Sequence, residues 1–248
     1  MKKIFSLGDY YNLFYKDKDY KSEAEYIHKK LAEYKLKGNK ILELGCGTGK
    51  HAKNLAKLGY KILGIEKSES MLRQAQKGKN LEFLQGDIRK INLEHKFDCV
   101  ISLFHVLSYQ ISNDSLESVF LTAFNNLQKG GIFLFDFWFA PAVIHQKPSV
   151  RIKTISTESN RIYRVAEPEI LIEKNQVDIK YTFHDFDYST NQFKITEEIH
   201  QMRFFTIPEL NYIASKTGFK VLKAEEFLTG HKPSFDTWGV CLILKKDG

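Results

Sequence analysis

The chain has 248 residues, 43% of them hydrophobic and 13% aromatic, enough apolar side chain to bury a large core as one domain with room for an inserted sub-domain. The opening MKKIFSLGDYYNLF has two lysines but no apolar run of signal-peptide length, and no stretch is long and apolar enough to span a bilayer, so a cytoplasmic protein without membrane contact is expected. A formal net charge of +7 invites a nucleic-acid reading, but the lysines are spread along helix-like faces with glutamate between many of them and form no Arg-rich block, which speaks against nucleic acid as a partner.

KILEL (40–44) reads as a buried strand, 48–58 as a helix ended by Gly59, and YKILGIE (60–66) as a second strand. Ser68 caps a helix running to about Lys77; LEFLQGD (81–87) and FDCVISLF (97–104) are further strands. Asp114 and Glu117 have capping-box spacing before a helix to about Leu127, and GGIFLFDFW (130–138) supplies the next strand. Such βα alternation gives a parallel sheet with helices on both faces.

From Arg151 to Phe205 the period changes to that of strands: RIKTIST, RIYRVAE, EILIEKN, VDIKYTFHDFDY and FKITEEIHQMRFF. They predict a small antiparallel sheet inserted at 148–205 into an α/β domain made of 39–147 and 206–248. Thr206 and Glu209 form a capping box with Pro208 in the first turn, Gly218 ends that helix, and KVLKAEEFL and WGVCLILKK close the chain as a strand pair. The three cysteines, Cys46, Cys99 and Cys241, lie far apart in apolar contexts and read as buried reduced thiols; no metal site is expected.

Gly45, Gly47 and Gly49 sit where a strand turns into a helix, so backbone can approach a ligand closely and helix N–H groups face electron-rich atoms. The nicotinamide fingerprint G-x-G-x-x-G is not met, because the third glycine comes one residue early and Lys50 takes its place. Glu66 ends the second strand, where an acid can accept both hydroxyls of a ribose, and Asp87 follows the third, where it could accept an adenine N–H.

The series Glu43-Leu44-Gly45-Cys46-Gly47-Thr48-Gly49, Gly64-Ile65-Glu66, Gln85-Gly86-Asp87-Ile88 and Phe97-Asp98-Cys99-Val100 resembles the ordered motifs of class I S-adenosylmethionine-dependent methyltransferases. That resemblance implies a Rossmann-like, doubly wound, mostly parallel seven-stranded sheet and S-adenosylmethionine as cofactor. It places Gly45, Cys46 and Gly47 under the methionine part, Glu66 on the ribose and Asp87 and Ile88 at adenine. Glu43 sets the loop, and Tyr15, Lys67, Met71 and Leu103 complete the cofactor site. The opening Asp9–Tyr15 segment, Lys18-Asp19-Tyr20, SLFHVLSY (102–109) and the strand-rich insert are similar to N-methyltransferases of nucleotide-linked amino sugars. This likeness implies a helical arm over 1–38 that closes on the cofactor, with the insert as one wall of the substrate site. It implies a small polar acceptor, such as a nucleotide-linked sugar, and admits a homodimer.

Methyl transfer from a sulfonium is an in-line displacement that asks for alignment, water exclusion and removal of a proton from the acceptor. His105, which stands where the family has a small residue, is the candidate base, with His184 and His200 behind it. Tyr11, Tyr109, Trp138 and His200 are candidate substrate contacts, and Arg151, Arg161, Arg164 and Arg203 could reach a diphosphate. An RNA or protein methyltransferase is the alternative, but the fourth strand lacks the Asn/Asp-Pro-Pro-aromatic motif that holds a planar nucleobase amine.

Overall fold

The computed structural model describes residues 7–247, with side chains from Tyr10 onward; the first six residues of the predicted arm, and the side chain of Asp9, lie outside the described residues. The chain runs α1 (Leu7–Phe14), α2 (Tyr20–Glu33), β1 (Lys40–Leu44), α3 (Lys50–Lys57), β2 (Lys61–Glu66), α4 (Glu69–Leu72), β3 (Leu81–Gln85) and β4 (Phe97–Ser102). After a 3-10 turn at Val106–Tyr109 come α5 (Asn113–Asn126), β5 (Leu127–Trp138) and α6 (Ala140–Gln146). Then follow β6 (Arg151–Ser156), β7 (Asn160–Leu171), β8 (Gln176–Asp187), β9 (Gln192–Arg203), α7 (Ile207–Lys216), β10 (Phe219–Glu226) and β11 (Gly239–Lys246).

One sheet has seven strands in the order β10-β11-β5-β4-β1-β2-β3, and the other has four in the order β6-β7-β8-β9. In the larger sheet β1, β2, β3, β4 and β5 are parallel, while β11 runs antiparallel to both β5 and β10. The chain winds outward from β1 to β3 and then returns to lay β4 on the other side of β1. The carboxyl ends of β1 and β4 therefore flank a crevice, the place where open α/β sheets bind ligands.

Alternation along β1 and β4 feeds two cores. Leu42, Leu44 and Val100 pack with Leu116, Phe120, Leu210 and Ile213 of α5 and α7. Ile41, Cys99 and Ile101 pack with Ala24, Ile27, Leu31, Ala52 and Leu55 of α2 and α3. Central strands buried on both faces read as continuous apolar runs for this reason. The four-stranded sheet rests on α6 through Ala166, Val177, Ile179 and Met202 against Ala140 and Val143. It holds α1 through Tyr10 and Phe14 against Ile155, Ile162 and Phe183. Phe14 is 1% exposed, and its burial contributes roughly 1.5–3 kcal/mol to keeping α1 on the sheet.

Three expectations need correction. The helix from Ser68 stops at Leu72, because the following RQAQKGK offers no apolar face to bury, and a helix without tertiary packing is marginal. The capping box of α5 is Ser112 with Ser115, not Asp114 with Glu117; Ser112 takes the extended cap conformation and Glu117 instead pairs with Lys216 at 2.6 Å. RIYRVAE and the first three residues of EILIEKN are one strand, β7, despite Pro168, and Ile172–Lys174 form a 3-10 turn after it. Its pairing with β6 begins at Arg151↔Ala166, so Pro168 stands opposite Ile179 of β8 but beside no β6 residue, and its missing N–H deprives no partner there.

Candidate functional site

The loop from β1 into α3 forms one side of the crevice. Gly45 has φ +75°, and a Cβ there would stand 2.5 Å from Val106 Cγ1. Gly47 has φ +56°, and a Cβ there would meet only Met71 Sδ at 3.7 Å, so the loop backbone stays open to a ligand. At the end of β2, Glu66 accepts the Gly47 N–H at 3.0 Å through Oε2 and the Ser68 N–H at 2.8 Å through Oε1, which fixes its carboxylate at the crevice. Asp87 accepts the Arg89 N–H at 3.0 Å and Nε–H at 2.9 Å, and that guanidinium holds its carboxyl well below the usual range. Cys46, Lys67, Met71, Asp87, Ile88 and Leu103 all line the same cavity.

Glu43 does not line the cavity. The alternation of β1 turns it, with Ile41, toward the α2–α3 side, where it is 1% exposed and 3.7 Å from His51 Nδ1, while His51 Nε2 bonds Glu23 of α2. Burial, with the nearby Glu66 charge, pushes the Glu43 carboxyl up to about 8, so at neutral pH it is mostly a neutral group beneath the loop. Its expected part in cofactor binding is thus support from behind, not contact.

The opposite wall follows β4. Phe104 and His105 are consecutive non-glycine residues with φ +66° and +60°, a backbone strain that costs of order 1–3 kcal/mol each. The His105 N–H points at both oxygens of Asp136 at 3.2 Å, and its Nδ1 lies 2.9 Å from Oδ2, within ion-pair reach though not aligned for a hydrogen bond. Asp136, on β5, is 2% exposed. Burial alone would raise its carboxyl, but the charge and hydrogen bonds of His105 prevail and hold it below its ordinary value. The His105 ring packs 5.9 Å from that of Trp138, which meets Trp238 at 6.1 Å.

From the arm, Tyr11 and Tyr15 pack 4.8 Å apart and present edges to Phe104 at 6.4 and 5.1 Å. From the insert, His200 Nδ1 lies 3.0 Å from the Tyr109 hydroxyl and its Nε2 3.2 Å from Glu198. All of these wall one cavity of about 1060 Å³ that runs from the glycine loop to the insert, with Arg151 and Arg164 at its far end.

Other candidates are elsewhere. His184 stands on the outer face of β8, 5.7 Å from the ring of Phe193, because the even residues of that strand turn away from the cavity while Ile179 and Tyr181 line it. Arg161 stacks on Tyr163, and Arg203 pairs with Glu209 and Asn113. Tyr181 and Met202 were missed although strand alternation would have found them once the inner face was known; Trp238 and Arg89, in loops, gave no signal. Cys46, Cys99 and Cys241 are buried and free. Among the described residues no cluster of three potential metal ligands occurs, and no helix is long and apolar enough to cross a membrane.

Residues 41–131 match the model of a methyltransferase domain. A putative methyltransferase of a Geobacillus strain is 26% identical over 97% of this chain and 98% of its own. The dTDP-3-amino-3,4,6-trideoxy-alpha-D-glucopyranose N,N-dimethyltransferase of Streptomyces venezuelae is 25% identical over 90% of this chain and 92% of its own. Among solved structures, the sugar N-methyltransferase KedS8 from Streptoalloteichus superposes with a TM-score of 0.82 at 18% identity over 96% of this chain and 93% of its own. A methyltransferase from Clostridium acetobutylicum gives 0.79 at 23% identity over 96% of both chains. These structures establish the Rossmann-like fold with its inserted antiparallel sheet.

Proposed function

We propose that this chain, an S-adenosylmethionine-dependent methyltransferase, moves the methyl group to the amino nitrogen of a nucleotide-linked sugar. The observation that carries the reading is the single cavity of about 1060 Å³, with two carboxylates at the glycine-loop end and two guanidinium groups at the insert end. That volume stands at the upper end of the roughly 300–1,000 Å³ of a ligand pocket, and the opposite charges of its two ends are what suit it to a cofactor and a second polar molecule end to end. The named relatives that act on dTDP-amino sugars support the second occupant.

The residues fit the cofactor. The missing side chain of Gly47 leaves backbone open beside Met71, and Glu66 is held at the end of β2 with lone pairs to spare for two ribose hydroxyls. Asp87 and Ile88 flank the position expected for adenine, while Cys46, Lys67, Leu103 and Tyr15 enclose the rest. Bound there, S-adenosylmethionine supplies an electrophilic methyl group. Tyr11 and Tyr15 with Phe104 exclude water, and Trp138, Tyr109 and His200 set the acceptor against the carboxyl end of β4. An amine is protonated near neutral pH, so a base must first free its lone pair. His105 takes that proton, and the Asp136 carboxylate, which holds the His105 backbone N–H and lies 2.9 Å from Nδ1, stabilises the charged form of the ring. A cytoplasmic address and a homodimer belong to the same reading.

The test is incubation with S-adenosylmethionine and, separately, dTDP-linked amino sugars, dTDP-linked sugars without an amine, total RNA and protein extract, with products read by mass. Methyl gain on the amino sugar alone is expected. Methyl gain on RNA or protein instead refutes the reading.

A further inference from the structure

The first strand pair of the insert presents its cations to one side. Arg151 and Lys153 on β6 share a face with Arg164 on β7, and Lys153 stands directly opposite Arg164 in the register. Lys153 is already engaged, its Nζ donating to the backbone oxygen of Phe14. Arg164 is not. Its guanidinium carbon lies 4.8 Å from the ring centre of Phe14, 5.7 Å from that of Tyr15 and 5.3 Å from that of Tyr181, and one Nη–H reaches the Tyr15 hydroxyl at 3.4 Å.

This aromatic slot grips the faces of the guanidinium and leaves most of its edge unmatched. The Nε of Arg164 is buried with no hydrogen-bond partner. Among the described residues Arg73, Arg89 and Arg203 each pair with a carboxylate, whereas Arg151, Arg161 and Arg164 do not, and of these three only Arg151 and Arg164 line the cavity. Arg164 is only partly buried and Arg151 is exposed, so water reaches both cations, but the buried Nε of Arg164 is a donor that water does not bond and that costs stability while it stays unpaired. The remaining candidate is a ligand in the cavity that both arginines line. A planar fork with a free edge suits the oxygens of a phosphate.

We propose that Arg164, with Arg151 beside it, is the receptor for a diphosphate group carried by the acceptor, and that seating this anion fixes the N-terminal arm over the cofactor. The proposal rests on the nucleotide-sugar reading above. It adds a coupling between the two ends of the cavity. Arg164 touches Phe14 and Tyr15 of the arm on one side and Tyr181 of the insert on the other. The same arm sends Tyr11 and Tyr15 against Phe104 at the cofactor end. An anion on the free edge of the guanidinium holds it in the slot, and the slot holds the arm. Linkage then requires each ligand to tighten the other by the same factor.

Calorimetry with S-adenosylhomocysteine, inorganic pyrophosphate, thymidine diphosphate and thymidine tests this on the full chain, on Arg164→Met and on Arg161→Met, whose arginine stacks on Tyr163 outside the cavity. Thymidine diphosphate should bind the parent protein and bind Arg164→Met roughly 10- to 100-fold more weakly, with Arg161→Met within about twofold. Saturating pyrophosphate should tighten S-adenosylhomocysteine about 3- to 10-fold in the parent and not in Arg164→Met. Thymidine binding as tightly as its diphosphate overturns the proposal, and so does pyrophosphate that leaves the cofactor product's affinity unchanged. Should Arg164→Met fail to fold, Arg164→Lys keeps the charge, loses the fork, and is expected to lose about tenfold toward thymidine diphosphate; an unchanged affinity there overturns the proposal. A chain that methylates a free amino sugar as well as a nucleotide-linked one refutes the anion receptor and leaves methyl transfer standing. A chain that binds no S-adenosylhomocysteine removes the underlying reading itself.

Discussion

Glu66→Ala tests the cofactor assignment most directly. Glu66 sits at the carboxyl end of β2 with one oxygen on the Gly47 N–H at 3.0 Å and the other on the Ser68 N–H at 2.8 Å. Those bonds aim both oxygens and leave lone pairs for two ribose hydroxyls. Hydrogen bonds to a charged group contribute about 1.5–3 kcal/mol each, and the half-buried position admits water that recovers part of the loss. Removal should therefore cost about 2–4 kcal/mol, a roughly 30- to 700-fold weaker Kd. Calorimetric titration with S-adenosylhomocysteine reads it, with thermal unfolding as a check that the Gly47 loop survives. Glu66→Gln keeps one acceptor oxygen and should fall between the two. An Ala variant that is folded and binds within about threefold of the parent refutes the ribose assignment.

Further outcomes are expected. His105→Ala should lower turnover by about 10²- to 10⁴-fold while S-adenosylhomocysteine affinity is kept, read by single-turnover kinetics beside calorimetry; unchanged turnover removes His105 as the base. The Glu43 carboxyl is raised in the fold to about 8 from an ordinary value near about 4.3, so across that window the native state binds more protons and its stability falls as pH rises. Glu43→Gln should flatten this part of the urea-denaturation profile, and a slope that persists disproves the assignment. Ser112→Ala should cost about 1 kcal/mol through loss of the α5 cap, whereas Asp114→Ala should cost less than half of that in the same urea titration; the reverse ranking would restore the box at Asp114.

The glycine loop, Glu66, Asp87 and the paired sheets were legible because their signals are local. Gly45 and Gly47 need left-handed backbone whatever surrounds them, and the acid at the end of a strand needs only the strand to be found. The false capping box had the same local source: Asp114 and Glu117 match the spacing, but only the path of the chain from the 3-10 turn shows that Ser112 is the last residue in extended backbone before the helix. The break read between RIYRVAE and EILIEKN was local in the same way; it falls at Pro168, and only the length of β6 shows that no β6 residue stands beside it.

What the sequence by itself determined was the alternation of strands and helices along the parallel sheet, a glycine turn open to a ligand and the existence of a second, antiparallel sheet. Each follows from periodicity or backbone sterics within a few residues. Only the tertiary structure decided which side chains of that second sheet reach the cavity. Alternation divides Arg161 from Arg164 and His184 from Tyr181 into two sets, but a strand of period two reads the same from either face. The choice came from packing, when Tyr10 and Phe14 of the arm buried themselves against Ile162 and Phe183 and so turned Arg164 inward and Arg161 out.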